Sequence, residues 1–150
     1  MNLVPAKAGQ GGISVKEEDC IFCRIAAGEI PSRTLYEDGQ FRVILDLGPA
    51  TKGHALILPK EHAANLYELP DETAAEAMKL AKKMALLLRD KLHCDGLNLV
   101  QNNGEVAGQT VSHFHLHLIP RYDGDGQKIN WVPSEPSQEE LEAVRKEITE

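Results

Sequence analysis

The 150-residue chain has no run of 18 or more apolar residues, so the sequence offers no candidate membrane-spanning helix. Its opening, "MNLVPAKAGQGGISVKEED", lacks the apolar central block of a secretory signal, and a cytoplasmic location is expected. Cysteine is scarce: three residues, an odd number, do not make a disulfide framework in a chain this long. Positive charge is scarce too, with 16 Lys and Arg against 23 Asp and Glu and a formal charge of −7. An extended nucleic-acid surface needs clustered cations to neutralise phosphates, and here the cations are scattered among carboxylates. Nucleic acid is therefore not an expected partner, although local donors could still hold a small anion.

What is present fits one globular domain: 42% hydrophobic and 26% charged residues, enough for one core and too few for two. Residues 1–18 show no helical or strand period and read as a flexible extension, leaving 19–150 as the domain. "DCIFCRIAAGEIPS" reads as a short helix, capped by Asp19 and ended by Gly28 and Pro31. "RTLYEDGQFRVILDL" reads as a hairpin turning at "EDGQ", and "GHALILPKEH" as a strand buried on both faces.

A long helix follows, capped by Asp71 and stopped by Gly96. Ala74, Ala77, Met78, Ala81, Ala85, Leu88 and Leu92 lie on its apolar face, widened by Leu80, Met84 and Leu87. "GLNLVQNNG" and "SHFHLHLIPR" are two further strands, and a terminal helix carries Leu141, Val144 and Ile148 behind Ser137. The fold class expected is α+β, with about five strands in a mainly antiparallel sheet, one long helix and two short ones.

Three of the six histidines stand at alternate positions in "GQTVSHFHLHLIPR". In a strand, His113, His115 and His117 share one face, while Phe114, Leu116 and Leu118 turn to the core. Such a row could simply fill a polar face, bind metal or carry chemistry. At roughly 3.3 Å per residue the outer pair is about 13 Å apart, so all three cannot ligate one zinc ion without strong bending. The catalytic reading accounts for more of the sequence. Imidazole is base and nucleophile near neutral pH, and "AGQT" supplies Gly108 for close backbone approach, N–H groups for an anion and the Thr110 hydroxyl. The "CIFC" pair, Cys20 and Cys23, is ambiguous between half a zinc site, a thiol redox pair and an accident, though no thioredoxin-like pattern surrounds it.

"HFHLHLI" preceded by "GQTV" resembles the histidine triad (HIT) family, whose pattern is His-x-His-x-His followed by apolar residues. The resemblance extends through "CIFCRIAAGEIPS", "LYEDGQFRVILDL", "TKGHALILPKEH" and "NNGEVAGQ", about residues 19–122. It is strongest to the Hint-like branch of nucleotide hydrolases and transferases, particularly its bacterial zinc-carrying members.

The resemblance implies double displacement at the α-phosphorus of a purine nucleotide. His115 would attack, His117 would hold the phosphate with its carbonyl fixing the His115 tautomer, and Thr110 would stand near the leaving atom where the family usually has Ser. Asp46 would hold the ribose, with Asn102, Gly108 and Gln109 at the same end of the site. Phe22, Ile25, Ile30, Ile44 and Leu47 would line the base pocket. Cys20, Cys23, His62 and His113 would hold one structural zinc, which gives His113 a task apart from its neighbours.

His54 is expected behind the active row as a hydrogen-bonding partner, and His93 and Cys94 receive no chemistry. A homodimer through the long helix and an edge strand is also implied, and Trp131 and the tail would approach the site. The activities this leaves open are phosphoramidase, dinucleoside polyphosphate hydrolase and a nucleotide-binding regulatory module with little catalysis.

Overall fold

The computed structural model describes residues 19–150, so the expected extension over residues 1–18 lies outside the described residues. Five strands, β1 (Thr34–Glu37), β2 (Phe41–Leu45), β3 (Ala55–Pro59), β4 (Gly96–Val100) and β5 (Leu116–Arg121), form one sheet in the order β1-β2-β3-β5-β4. Every neighbouring pair is antiparallel. Three helices accompany the sheet: α1 (Ile21–Ala26), α2 (Asp71–Leu92) and α3 (Gln138–Thr149). The α+β expectation holds.

One carboxylate builds the first turn. Asp38 Oδ1 accepts the N–H groups of Gln40 and Phe41, each at 2.8 Å, and closes the β1–β2 hairpin at Asp38-Gly39. The period of two then sorts the sheet into two faces. Phe41, Val43, Ala55, Ile57, Leu116 and Leu118 meet Ala77, Leu80, Ala81, Met84 and Leu88 of α2 in the main core. Ile44, Leu56 and Leu58 meet Ile25 and Ala26 of α1 on the other side. β3 is accordingly buried along its whole length, as its unbroken apolar run requires.

Several local expectations are corrected. Cys20, not Asp19, caps α1, its Sγ accepting from Cys23 N–H at 3.3 Å. Pro70 occupies the N-cap position of α2 without a side-chain bond, and Asp71 is instead the first helical residue, where its charge meets the positive end of the helix. α2 ends before Gly96: His93 takes the left-handed conformation at φ 55° and donates its N–H to Arg89 O, and Gly96 opens β4. Met78 and Leu87 are 55% and 42% exposed, so the apolar face packed on the sheet is narrower than the sequence pattern.

The histidine row is not all strand, because the ladder starts at Leu116. Upstream, Phe114 N–H bonds to Ala63 O and His113 N–H to Val111 O. Those loop bonds take the chain off the sheet. α3 is closed by the reciprocal Ser137–Glu140 capping box, yet its Leu141, Val144 and Ile148 are exposed. Among the described residues no helix is long and apolar enough to cross a membrane.

Candidate functional site

Because the chain joins the sheet only at Leu116, the three imidazoles are separated. His113 is fully buried and turns toward α1, while His115 and His117 remain neighbours with ring centroids 5.0 Å apart. Phe22 of α1 packs edge-on against His115 at 5.0 Å and against His113 at 6.1 Å. Arg42 holds α1 in place by donating from Nε to Ala26 O at 3.2 Å.

The expected metal ligands converge. Cys20 Sγ and Cys23 Sγ each lie 3.4 Å from His113 Nδ1, Cys23 Sγ lies 3.1 Å from His62 Nδ1, and the two Nδ1 atoms are 3.2 Å apart. Donors arranged about one tetrahedral zinc at 2.0–2.3 Å would be separated by roughly 3.3–3.8 Å, so the cluster fits with little movement. His113 Nε2 donates to Pro59 O at 2.8 Å, which leaves the lone pair on Nδ1 facing the sulfurs. The Cys20 thiol is held well below its ordinary pKa, first by its hydrogen bond with Cys23 and then by His113 and His62, against the effect of burial. His62 Nε2 is buried with no partner among the described residues, so that ring meets polar groups only through Nδ1. Lone pairs and a thiolate aimed at one another in a dry site are what a cation relieves.

The proton positions on the other imidazoles follow from fixed backbone partners. His115 Nδ1 lies 2.7 Å from His113 O, and a carbonyl can only accept, so the proton is on Nδ1 and Nε2 keeps its lone pair. This corrects the sequence expectation that the His117 carbonyl does the job. Ala50 N–H donates to His54 Nδ1 at 2.9 Å, which places the His54 proton on Nε2, 2.9 Å from His117 Nδ1. His117 in turn accepts at Nδ1 and carries its proton on Nε2. Burial lowers the pKa of all three, with His117 reaching about 4 as His115 and His54 add to the effect. At neutral pH the site therefore holds one imidazole with a free lone pair and one with a free N–H.

Asp46, His54 and His117 also bring ligand atoms within 4.8 Å of one another. Coordination through His54 Nε2 would move its proton to Nδ1, against the Ala50 N–H. The cluster is a hydrogen-bonded relay. Asp46 stands beside it, Oδ2 3.5 Å from His54 Nε2, with Oδ1 accepting from Gly48 N–H at 2.8 Å.

The loop before the row differs from expectation in one respect. Gly108 adopts φ +100°, a conformation that glycine accepts without strain, and faces the Asn102 amide. Gln109, expected at the nucleotide, instead braces the loop and ties it to the segment after β3. Its Nε2 donates to Ala64 O and Val111 O at 2.7 and 2.9 Å, and its Oε1 accepts Gly104 N–H at 2.8 Å. Thr110 is exposed beside it. Of the expected base-pocket residues, Ile25 and Ile44 form one cluster with Phe22 and Ile30 packed against it. Leu47 stands apart, 91% exposed in the irregular segment after β2.

Backbone groups were invisible to the motif reading: Ala50 N–H, Pro59 O and His113 O belong to no side-chain pattern. Arg42 was missed as well, and only its place in a strand opposite "CIFC" could have pointed to it.

Comparison with known proteins agrees with this geometry. The HIT domain model matches residues 27–124. The chain is 42% identical over 132 residues to the adenosine 5'-monophosphoramidase hnt1 of Schizosaccharomyces pombe, covering 87% of this chain and 96% of that protein. The crystal structure of a HIT family protein from Bacillus subtilis superposes with a TM-score of 0.82 at 44% identity, covering 87% of this chain and 95% of that one. A zinc-bound histidine triad family protein from Mycobacterium smegmatis superposes with a TM-score of 0.71 at 41% identity, covering 77% and 84%. With its triad, its sheet and these relatives in agreement, the chain belongs to the HIT family.

Proposed function

We propose that the protein is a hydrolase that cleaves the bond between the α-phosphorus of a purine nucleoside 5'-monophosphate and an amine, through a covalent nucleotidyl-histidine. The observation that carries this is the proton arrangement: a neutral His115 with its Nε2 lone pair free, beside a neutral His117 with its Nε2–H free. A nucleophile and a phosphate donor are what displacement at phosphorus needs. Supporting it, the fission-yeast relative is named an adenosine 5'-monophosphoramidase.

In the first step His115 Nε2 attacks phosphorus, the P–N bond to the amine breaks, and the departing nitrogen takes a proton from solvent, to which the Thr110 end of the site is open; the water of the second step returns one proton to solvent. Meanwhile the His113 carbonyl continues to accept from His115 Nδ1–H and disperses the positive charge that develops on the ring. His117 Nε2–H donates to a phosphoryl oxygen, and the Thr110 hydroxyl stands near the departing group. In the second step water attacks phosphorus, the P–N bond to His115 breaks, and the 5'-monophosphate is released. Asp46 takes the ribose hydroxyls, and the wall of Phe22, Ile25, Ile30 and Ile44 receives the base.

Cys20, Cys23, His62 and His113 would hold zinc, whose role is structural because four protein ligands close the coordination shell. The chain acts as one HIT domain over 19–150, in the cytoplasm. It pairs into a homodimer through the edge strand β4 and the outer side of α2, where Met78, Lys82, Ala85, Leu97 and Leu99 line an apolar groove.

Turnover of adenosine 5'-phosphoramidate by the wild type and by His115→Ala tests the reading. Removal of the nucleophile is expected to lower kcat by roughly 10⁴-fold or more. Comparable activity in the variant would overturn the assignment, and faster cleavage of dinucleoside polyphosphates would move the leaving group from amine to phosphate.

A further inference from the structure

The proton arrangement at His117 has an origin outside the histidines. Ala50 N–H can point at His54 Nδ1 only while residue 50 is held in place, and the other end of the 50–54 segment is tied by Asp46 N–H to His54 O at 2.9 Å. On the open side, Gln127 Nε2 donates to Ala50 O at 3.0 Å. Gln127 is itself fixed in a turn centred on Asp125. The Asp125 carboxylate takes Arg121 Nε and Nη2 at 2.8 and 2.9 Å, together with the N–H groups of Tyr122 and Gln127, while Arg121 Nη2 also donates to Gln127 O.

The contacts form one directed chain. Gln127 donates to the Ala50 carbonyl, the Ala50 amide donates to His54, and His54 donates to His117. Every bond in it has a fixed direction, because a carbonyl cannot donate and an amide N–H cannot accept. Gln127 holds the Ala50–Thr51 peptide, whereas the Ala50 N–H belongs to the Pro49–Ala50 peptide, so the hold reaches the N–H through Ala50 Cα; with the carbonyl released, turning about the φ and ψ of Ala50 would withdraw the N–H from His54 Nδ1. His54 could then carry its proton on either nitrogen, and so could His117, with half of the outcomes presenting a lone pair to the substrate phosphate. Gln127 lies past the residues matched by the family model, which end at 124.

We infer that Gln127 is a positioning residue: by holding residue 50 at its carbonyl, and so its N–H against His54, it fixes the tautomers of His54 and His117 and keeps a donor aimed at the phosphate. Its effect on turnover rests on the proposed reaction, whereas its effect on the tautomers does not.

The test uses the full-length protein with its metal, labelled with ¹⁵N-histidine, at about pH 8 where imidazoles are neutral. Two-bond ¹⁵N–¹H correlations distinguish the tautomers directly. In the wild type, His54 and His117 are expected to have protonated Nε2 and bare Nδ1. In Gln127→Ala and in Gln127→Glu, neither of which can donate to Ala50 O at this pH, both resonances should move toward a mixture.

Phosphoramidate kcat should fall roughly 3- to 10-fold in both variants, the range of a single hydrogen bond. Tyr122→Phe is the control. It releases another tether of the same loop, the bond to Lys52 O at 2.8 Å, without touching the Ala50 peptide, and should leave both tautomers unchanged. Unshifted His54 and His117 resonances in Gln127→Ala, or equal shifts in Tyr122→Phe, would overturn the inference. A wild type that shows the expected tautomers and cleaves no phosphoramidate would instead sink the proposed reaction and leave this inference standing.

Discussion

His115 Nδ1 lies 2.7 Å from the carbonyl oxygen of His113. The side chain of His113 faces the two cysteines in the candidate metal cluster while its main chain fixes the proton of His115, the proposed nucleophile, so one residue joins the two proposed sites. Any loosening of the cluster moves that carbonyl, and with it the direction of the His115 lone pair.

Cys23→Ala should therefore lose both metal and activity, although Cys23 is no part of the displacement. Elemental analysis should fall from one zinc per chain to none, and Tm should drop by about 6–12 °C, corresponding to about 3 kcal/mol for a chain of this size. The phosphoramidate kcat should fall at least about 10-fold, the scale of a lost supporting contact at a metal site. A variant that retains stoichiometric zinc would contradict the ligand set.

Gln109→Leu separates a brace from a substrate contact. The amide makes two hydrogen bonds within the loop and a third to Ala64 O in the segment after β3, and is partly buried, so its loss should cost about 2–3 kcal/mol of stability, read from a urea midpoint. Turnover should fall through kcat as the loop before the triad loosens. A KM effect with unchanged stability would return Gln109 to the nucleotide.

His117 gives the pH dependence a sign. Unfolded, its imidazole takes a proton near its ordinary pKa of 6.5, and folded only near 4, because burial and the neighbouring His115 and His54 disfavour the charge. Between those values the unfolded state binds more protons, so His117 lowers stability as pH falls from about 6.5 toward 4 and adds no further change below that. Activity should persist through pH 6.5 and decline only at lower pH, where His115, whose pKa burial also lowers, takes a proton on Nε2 and loses the attacking lone pair, while His117 keeps its Nε2–H in either state. A pH–kcat profile with its acidic limb at the ordinary imidazole pKa would count against the buried, neutral His115 seen here.

Much of the architecture was legible because side-chain periodicity reports burial directly. The alternation in "FRVIL" and "LHLIPR", the unbroken apolar run of "ALILP" and the three- and four-residue steps of α2 placed the sheet and its main helix. Helix ends were less legible. Pro70 and His93 hold positions that Asp71 and Gly96 were expected to hold, because termination depends on where the following chain is pulled as much as on the local residue.

The sequence by itself determined which chemistry is available: three alternating imidazoles, a thiol pair and a glycine-bearing loop. Only the tertiary structure decided how they are divided. The departure from the sheet ahead of Leu116 sends His113 to the cysteines, and three backbone groups, Pro59 O, His113 O and Ala50 N–H, set which nitrogen of each ring carries its proton. A residue list cannot show this, since every residue except proline carries the same amide and carbonyl, and only folding brings a particular one to a particular ring.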